Sequence, residues 1–148
     1  MKNTVKIKKL SPSAVTPTYG SEFSAGADLY ALTGGESVTV MPGETEFIGT
    51  GIAMEIPQGF VGLIYARSGI ACKRGLAPAN KVGVIDSDYR GEIKVALHNH
   101  SNEPSSIDDG ERIAQIVITP YLTCDFVESD TLDDTARGDG GFGSTGKK

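Results

Sequence analysis

The chain has 148 residues, 39% of them hydrophobic, a formal net charge of −5 and a pI near 5.0. That is the length of one domain, with enough apolar material for a real core. The acidic balance excludes a basic field for duplex nucleic acid. The longest apolar run, Phe60 to Ala66, is far too short for a membrane-spanning helix. MKNTVKIKKL lacks the apolar stretch of a secretory signal. Cys72 and Cys124 form no disulfide framework, which fits a reducing, cytoplasmic setting.

In chain order, period-2 alternation dominates. Val5 and Ile7 alternate with lysines, Val38 and Val40 flank Thr39, and Ile93, Val95 and Leu97 alternate with Glu92, Lys94 and Ala96. Gly59 to Ala66 and Arg112 to Thr119 are short β-rich apolar runs. Turn signals stand between them at Thr33-Gly34-Gly35, Met41-Pro42-Gly43, Pro57-Gln58-Gly59 and Asp108-Asp109-Gly110. Many short strands with such spacing predict a sandwich, jelly roll or barrel. One short helix is predicted over Ser68 to Lys73, with Ser68 as N-cap and Gly75 as its stop. The last stretch, 128–148, has five glycines, eight charges and almost no apolar residues. It cannot bury enough surface to offset its own ordering, so a strand domain over 1–127 and a mobile arm over 128–148 are expected.

Five segments carry candidate chemistry. In AGADLYA, Asp28 sits among small and apolar residues; it is either a backbone-satisfied turn aspartate or a carboxylate that holds the waters of Mg2+. In ARSG, Arg67, Ser68 and Gly69 bring a guanidinium, a hydroxyl and free amides to one place, which suits a phosphate as well as an ordinary capped turn. In GVIDSDYRGEI, Asp86 and Asp88 lie two apart after an apolar strand, Val82 to Ile85. An EF-hand fails there, because Arg90 and Leu97 occupy its fifth and twelfth positions. A capped turn or a general base delivered into partly dry surroundings are the two readings left. His98 and His100 lack a third ligand and read as solvated or structural. The tail GFGSTGKK matches G-x-G-x-x-G, but no strand precedes it and no helix can follow, so a nucleotide-binding Rossmann or P-loop fold is excluded. Its amides, Arg137 and Ser144 could still meet an anion, and Phe142 could cover the face of a base.

The order AGADLYA, ARSG, NKVGVIDSDYRGEI, GERIAQIVI, RGDGGFGSTG resembles the five ordered motifs of the trimeric dUTPase family, from about residue 25 to 146. The resemblance implies an all-β fold, a jelly-roll or β-clip-type barrel of short strands with one short helix and a flexible C-terminal arm. It implies a homotrimer with active sites at subunit interfaces that hydrolyses dUTP to dUMP and pyrophosphate with Mg2+. Asp86 would activate water for attack on the α-phosphorus. Asp28 and Gln115 would hold the metal through water. Arg67, Ser68 and Gly69 would grip phosphates, while Asn80 and the backbone of Val82, Gly83, Val84 and Ile85 would read uracil. Tyr89 would pack under the deoxyribose, with Lys94 a weaker candidate beside it. Arg137, Phe142, Gly143, Ser144 and Thr145 would close over the nucleotide. Two alternatives remain open: a dCTP deaminase, where a glutamate would be expected in the catalytic strand, and a trimeric nucleotide-binding switch without turnover.

Overall fold

A computed structural model describes residues 4–142 of the chain. Eleven strands and one helix are ordered as β1 (Lys6–Lys9), β2 (Thr18–Tyr19), β3 (Ala27–Tyr30), β4 (Val38–Val40), β5 (Thr45–Glu55), β6 (Phe60–Tyr65), α1 (Ser68–Arg74), β7 (Leu76–Pro78), β8 (Gly83–Ile85), β9 (Glu92–Asn99), β10 (Ser105–Ile107) and β11 (Arg112–Pro120). All pairings are antiparallel. One sheet runs β1-β5-β9-β7, another β2-β3-β11-β6-β8, and β10-β4 forms a short ribbon. The two larger sheets enclose a single core, giving an all-β jelly roll with one short helix.

The alternation in β9 is the clearest link from sequence to core. Ile93, Val95 and Leu97 are essentially inaccessible, while Lys94 between them is exposed. Each such side chain contributes about 1.5–3 kcal/mol of burial. Ile48, Ile52 and Met54 of β5 and Leu29, Ile64, Ile113 and Ile116 of the other large sheet complete the contact.

The longest strand, β5, was not among the expected strands. Its eleven residues read TEFIGTGIAME, and the pairing with β9 shifts register between Gly49 and Ala53. Gly51, at φ 64°, sits inside this bulge with Leu32 and Ala14 against its α-carbon. Two more residues of β5 than of β9 lie between these pairs, and Gly49 and Gly51 interrupt the apolar run, so no clean period of 2 shows in the sequence although Ile48, Ile52 and Met54 keep one face.

The helix runs one residue past its expected end, to Arg74. Its N-cap is Arg67, in extended conformation and without a side-chain capping bond, so Ser68 is the first helical residue rather than the cap. Gly75 stops the helix at φ 68°, the left-handed region that glycine enters without a side-chain clash. Beyond Pro120, residues 121–142 contain no strand or helix. Irregular chain therefore begins ahead of the expected boundary at residue 127. Leu122, Phe126, Val127 and Leu132 in this stretch are almost wholly exposed.

Candidate active site

Two cavities gather the predicted residues. The first, of about 370 Å3, lies beside the outer edge of β8 and is lined by Asn80, Gly83, Val84, Ile85, Asp86, Tyr89 and Lys94 together with Phe47, Pro78 and Glu92. β8 is the last strand of its sheet, so its outer backbone groups face the cavity without a strand partner among the described residues. An unpaired strand edge is a ready-made row of donors and acceptors. Asn80 stands at the entrance to this edge, and Lys81 beside it takes the left-handed conformation at φ 63°. A side chain at Gly83 would press on Ile64 at 3.2 Å and reach the Asn80 amide nitrogen at 3.5 Å.

The turn after β8 is folded back on itself. The Tyr89 amide donates to the Asp86 carbonyl at 3.1 Å, and the Tyr89 hydroxyl donates to the Glu92 carbonyl at 3.0 Å. Its ring therefore lies over Gly91, where an added β-carbon would stand 2.4 Å from the hydroxyl oxygen. Glu92 anchors the base of this turn: its carboxylate accepts the Gly51 N–H at 3.0 Å, inside the β5 bulge. The Lys94 ammonium lies 3.6 Å from the same carboxylate. Asp86 is exposed, not enclosed in the partly dry setting expected for it. Phe47, 73% exposed, and Val84, 61% exposed, leave the same surface open.

The second cavity, of about 450 Å3, lies across the other end of the same sheet. Asp28 on β3 pairs in register with Gln115 on β11, which pairs with Tyr65 on β6. Arg67, Ser68 and Gly69 follow directly from the end of β6. Asp28 is buried, with two guanidinium partners: Arg67 Nε donates to Oδ1 at 2.7 Å and Arg112 Nη1 to Oδ2 at 3.3 Å. Arg67 Nη1 also donates to the Arg112 carbonyl at 3.2 Å. Gln115 Nε2 donates to the Ala66 carbonyl at 2.9 Å, which turns its amide oxygen toward Gly26. An added β-carbon at Gly26 would meet that oxygen at 2.4 Å, so glycine is what admits the glutamine.

Arg112 is the functional candidate that sequence reasoning missed. Strict alternation puts residues 112 and 115 on opposite faces of a strand. The register shift between Arg112 and Ala114 resets the face and brings both side chains to the cavity. Phe47 was missed with the rest of β5. Neither Arg137 nor Phe142 lines either cavity. Arg137 closes a local turn by donating to the Gly140 carbonyl at 2.8 Å, and Phe142 is fully exposed. Gly143, Ser144 and Thr145 lie outside the described residues. The His98 ring pairs with Thr45 Oγ1 at 2.9 Å and meets His100 edge-on at 4.4 Å between ring centroids. Asn99 between them is the buried structural residue, its amide donating to the Val40 and Glu103 carbonyls.

The two cavities share no lining residue among those described. Ile85 pairs with Gly62, three residues before Tyr65 in the row of Asp28 and Gln115. Taking standard strand rise and spacing, Asp86 and Asp28 of one chain are about 19 Å apart. No group of three His, Cys, Asp or Glu able to enclose a metal exists among the described residues. Asp28 and the Gln115 amide oxygen form a sparse, hard-oxygen donor set. It cannot cage a cation, but it suits one that keeps its waters and takes its direct ligands from a phosphate chain.

The sequence model of the dUTPase family matches residues 13–146. A deoxyuridine 5'-triphosphate nucleotidohydrolase of Nautilia profundicola is 52% identical over 143 residues, covering 97% of this chain and 99% of that protein. Its counterpart in Desulfitobacterium hafniense is 48% identical over 149 residues, covering 97% and 98%. Among solved structures, a Staphylococcus bacteriophage 80alpha dUTPase variant with dUpNHpp superimposes with a TM-score of 0.87 at 29% identity, covering 98% of this chain and 99% of that one. A dUTPase variant from phage phi11 of S. aureus, described as coordinating a structural Mg(II) ion, superimposes with a TM-score of 0.77 at 27% identity, covering 87% and 98%.

Proposed function

The chain belongs to the dUTPase family, and we propose that it hydrolyses dUTP to dUMP and pyrophosphate at sites shared between copies, limiting uracil entry into DNA and supplying dUMP for thymidylate synthesis. The observation that carries the shared site is the separation of a nucleoside-sized slot from a phosphate-type cradle within one chain. At about 19 Å, Asp86 cannot serve a phosphate held by the Arg67 cradle of its own chain. A second copy that sets its cradle against the first copy's slot brings the two together. The same contact would cover Phe47 and Val84 and give Asp86 the drier surroundings a general base needs. A repeated head-to-tail contact of this kind closes into a ring when its rotation is a whole fraction of a turn, and a third of a turn gives a homotrimer.

Within such a site the residues divide the work. The free edge of β8 and the Asn80 amide read uracil through main-chain-type hydrogen bonds. The Tyr89 ring, held by its hydroxyl on the Glu92 carbonyl, packs against the deoxyribose and leaves no space for a 2′-hydroxyl. Lys94 and Glu92 border the slot beside it. Arg67, Ser68 and Gly69 hold the phosphates. Arg67 spends only two of its nitrogens on Asp28 and the Arg112 carbonyl. A guanidinium has five N–H donors, so it can stay on Asp28 and still bind phosphate.

Asp86 takes the proton of a water as that water attacks the α-phosphorus. The new P–O bond forms as the bond to the bridging oxygen breaks, and pyrophosphate leaves with the electron pair. Mg2+ carried by the triphosphate, with Asp28 and Gln115 reaching it through water, fits the donor set and would supply charge neutralisation on the phosphates. Such local donors matter because the chain itself is acidic, at −5, and its overall field repels a triphosphate. The C-terminal arm closes the site, with Phe142 on the base and Arg137 and residues 143–145 on the phosphates. A panel of dUTP, dTTP, UTP and dCTP in Mg2+, scored for pyrophosphate, tests the whole reading. Release from dUTP above the others is expected. Ammonia from dCTP, or tight dUTP binding with no turnover, would overturn it.

A further inference from the structure

We propose that Arg74 is a positioning residue for the phosphate cavity, acting through α1 and through the neighbouring Glu111–Arg112 pair; this rests on the reading of that cavity as the triphosphate cradle. Arg74 ends the helix that begins with Ser68 and Gly69. All three of its guanidinium nitrogens are engaged. Nε donates to the Ser105 hydroxyl at 3.0 Å, Nη1 to a Glu111 carboxylate oxygen, and Nη2 to the Ser106 carbonyl. The other Glu111 oxygen accepts the Asp108 N–H at 3.1 Å, and the Glu111 carbonyl accepts the Ala31 N–H at 2.8 Å. The acceptor side of the clamp is therefore itself fixed, within its own turn at Asp108 and to the end of β3 at Ala31.

The opposite end of the helix is tied to the next residue along. Arg67 Nη1 donates to the Arg112 carbonyl, and both arginines meet on Asp28. α1 is thus fastened at its two ends to two consecutive residues, Glu111 and Arg112. Its flanks are held through the backbone, the Ala66 carbonyl accepting from Gln115 Nε2 at 2.9 Å and the Gly75 carbonyl accepting the His100 N–H at 2.9 Å, but the turn between them has few ties of its own. Seven residues are too few for a helix to be stable by itself, and Ile70 is its only buried residue. With the Arg74 clamp released, the turn between these fixed flanks loses its set orientation, and Arg67, Ser68 and Gly69 shift relative to Arg112 and Gln115. Charge alone does not meet the requirement: three acceptors in different directions need the fork of an arginine, which a lysine ammonium cannot reproduce.

The full-length protein with Arg74→Gln and Arg74→Lys tests this, using two probes that report separate cavities without turnover. Inorganic pyrophosphate with Mg2+ reports the phosphate cavity, deoxyuridine reports the slot beside β8, and calorimetry measures both. Arg74→Gln should weaken pyrophosphate binding and raise KM for dUTP by at least about tenfold, since small misplacements of a cradle are costly. Deoxyuridine affinity should stay within about twofold, as the two cavities share no lining residue. Arg74→Lys should recover only part of the loss. A lower melting temperature with unchanged pyrophosphate affinity would overturn the proposal, and so would equal losses for both probes. Should Arg74→Gln not fold, Glu111→Gln removes the charge of the clamp while keeping its size; unchanged pyrophosphate affinity there also overturns it. Failure of the underlying reaction would show separately, as wild-type protein that releases no pyrophosphate from dUTP.

Discussion

Complementation between two inactive variants measures the division of the site directly. Asp86→Asn removes the proposed proton acceptor from the slot and should lower kcat by at least about 10²–10⁴. Arg67→Gln removes the guanidinium that sits 2.7 Å from Asp28 in the cradle, and should also leave little activity. Mixed oligomers of the two contain intact sites only if a site draws residue 86 from one copy and residue 67 from another. In an equal, random mixture, half of the copies carry an intact Asp86 and half an intact Arg67, each chosen independently at a head-to-tail contact. About one quarter of sites are then complete, whatever the number of copies in the ring. The assay is pyrophosphate release from dUTP by the whole, unselected population after co-expression of differently tagged chains, with capture of a separate aliquot through both tags to show that mixed oligomers form. Raising the share of one variant should lower the yield symmetrically on either side of equal mixing. Activity that remains at the level of the separate variants, in oligomers shown to contain both, would mean that each chain builds its own site, and the 19 Å argument would fail.

Four other outcomes follow. Gly91→Ala places a β-carbon 2.4 Å from the Tyr89 hydroxyl oxygen, so the ring must swing out and the preference for dUTP over UTP should fall by about tenfold or more; an unchanged ratio of kcat/KM values would remove Tyr89 from sugar discrimination. Truncation after Ala136 should leave the thermal midpoint of the strand domain unchanged while most turnover is lost, and full activity in the truncated protein would exclude closure by the arm. Asp28→Asn leaves Arg67 and Arg112 without their counter-charge; because the two arginine side chains are 24% and 51% exposed, the cost lies between that of buried and surface pairs, about 2 kcal/mol, or a fall of about 4–8 °C in Tm. The Thr33 amide, donating at 2.6 Å, holds the Asp109 carboxyl below its ordinary value of 3.8. This stabilisation is fully present above that ordinary value and is lost as pH falls through the lower folded one. Asp109→Asn should therefore reduce stability to urea near neutral pH and make no difference in strong acid; a loss independent of pH would exclude the ionised carboxylate.

Much of the fold was legible because its strands obey simple periodicity. Ile93, Val95 and Leu97 announce β9 and all three are inaccessible; Gly75 marks the end of α1 by the conformation only glycine takes easily. Two of the failures fall at irregular strand pairing. Both β5 and the start of β11 contain register shifts, at Gly49/Ala53 and at Arg112/Ala114. A bulge changes which face a residue shows without changing composition, so alternation, the main signal for strands, points the wrong way past it. The one-residue shift in β11 hid Arg112 although its neighbour Gln115 was in plain view, while in β5 the shift is of two residues and it is the glycines at 49 and 51 that broke the apolar run and hid the strand with Phe47. The exposure of Asp86 was illegible for another reason: the apolar run before it predicts burial, while the cover on that side is not supplied by the described part of its own chain.

These irregularities are also where the two cavities are made. Regular strands place side chains at fixed steps on fixed faces, which packs a core but cannot converge groups from one strand on a small ligand. The β11 shift gives Arg112 and Gln115 a common face, so that a guanidinium and an amide meet beside Asp28. The β5 bulge exposes the Gly51 N–H to Glu92, and that bond pins the turn on which Tyr89 is folded. The remaining device is an edge: β8 stops its sheet and offers unpaired backbone to the slot. An exposed edge beside Phe47 and Val84 invites association with other chains, which soluble proteins ordinarily suppress. In the proposed site the edge would be partly filled by substrate and the surrounding apolar surface by a second copy, so that one feature would specify base recognition and subunit contact together. A charge placed at Val84 should consequently impair assembly and nucleotide binding in parallel, whereas one at the distant β1 edge should impair neither.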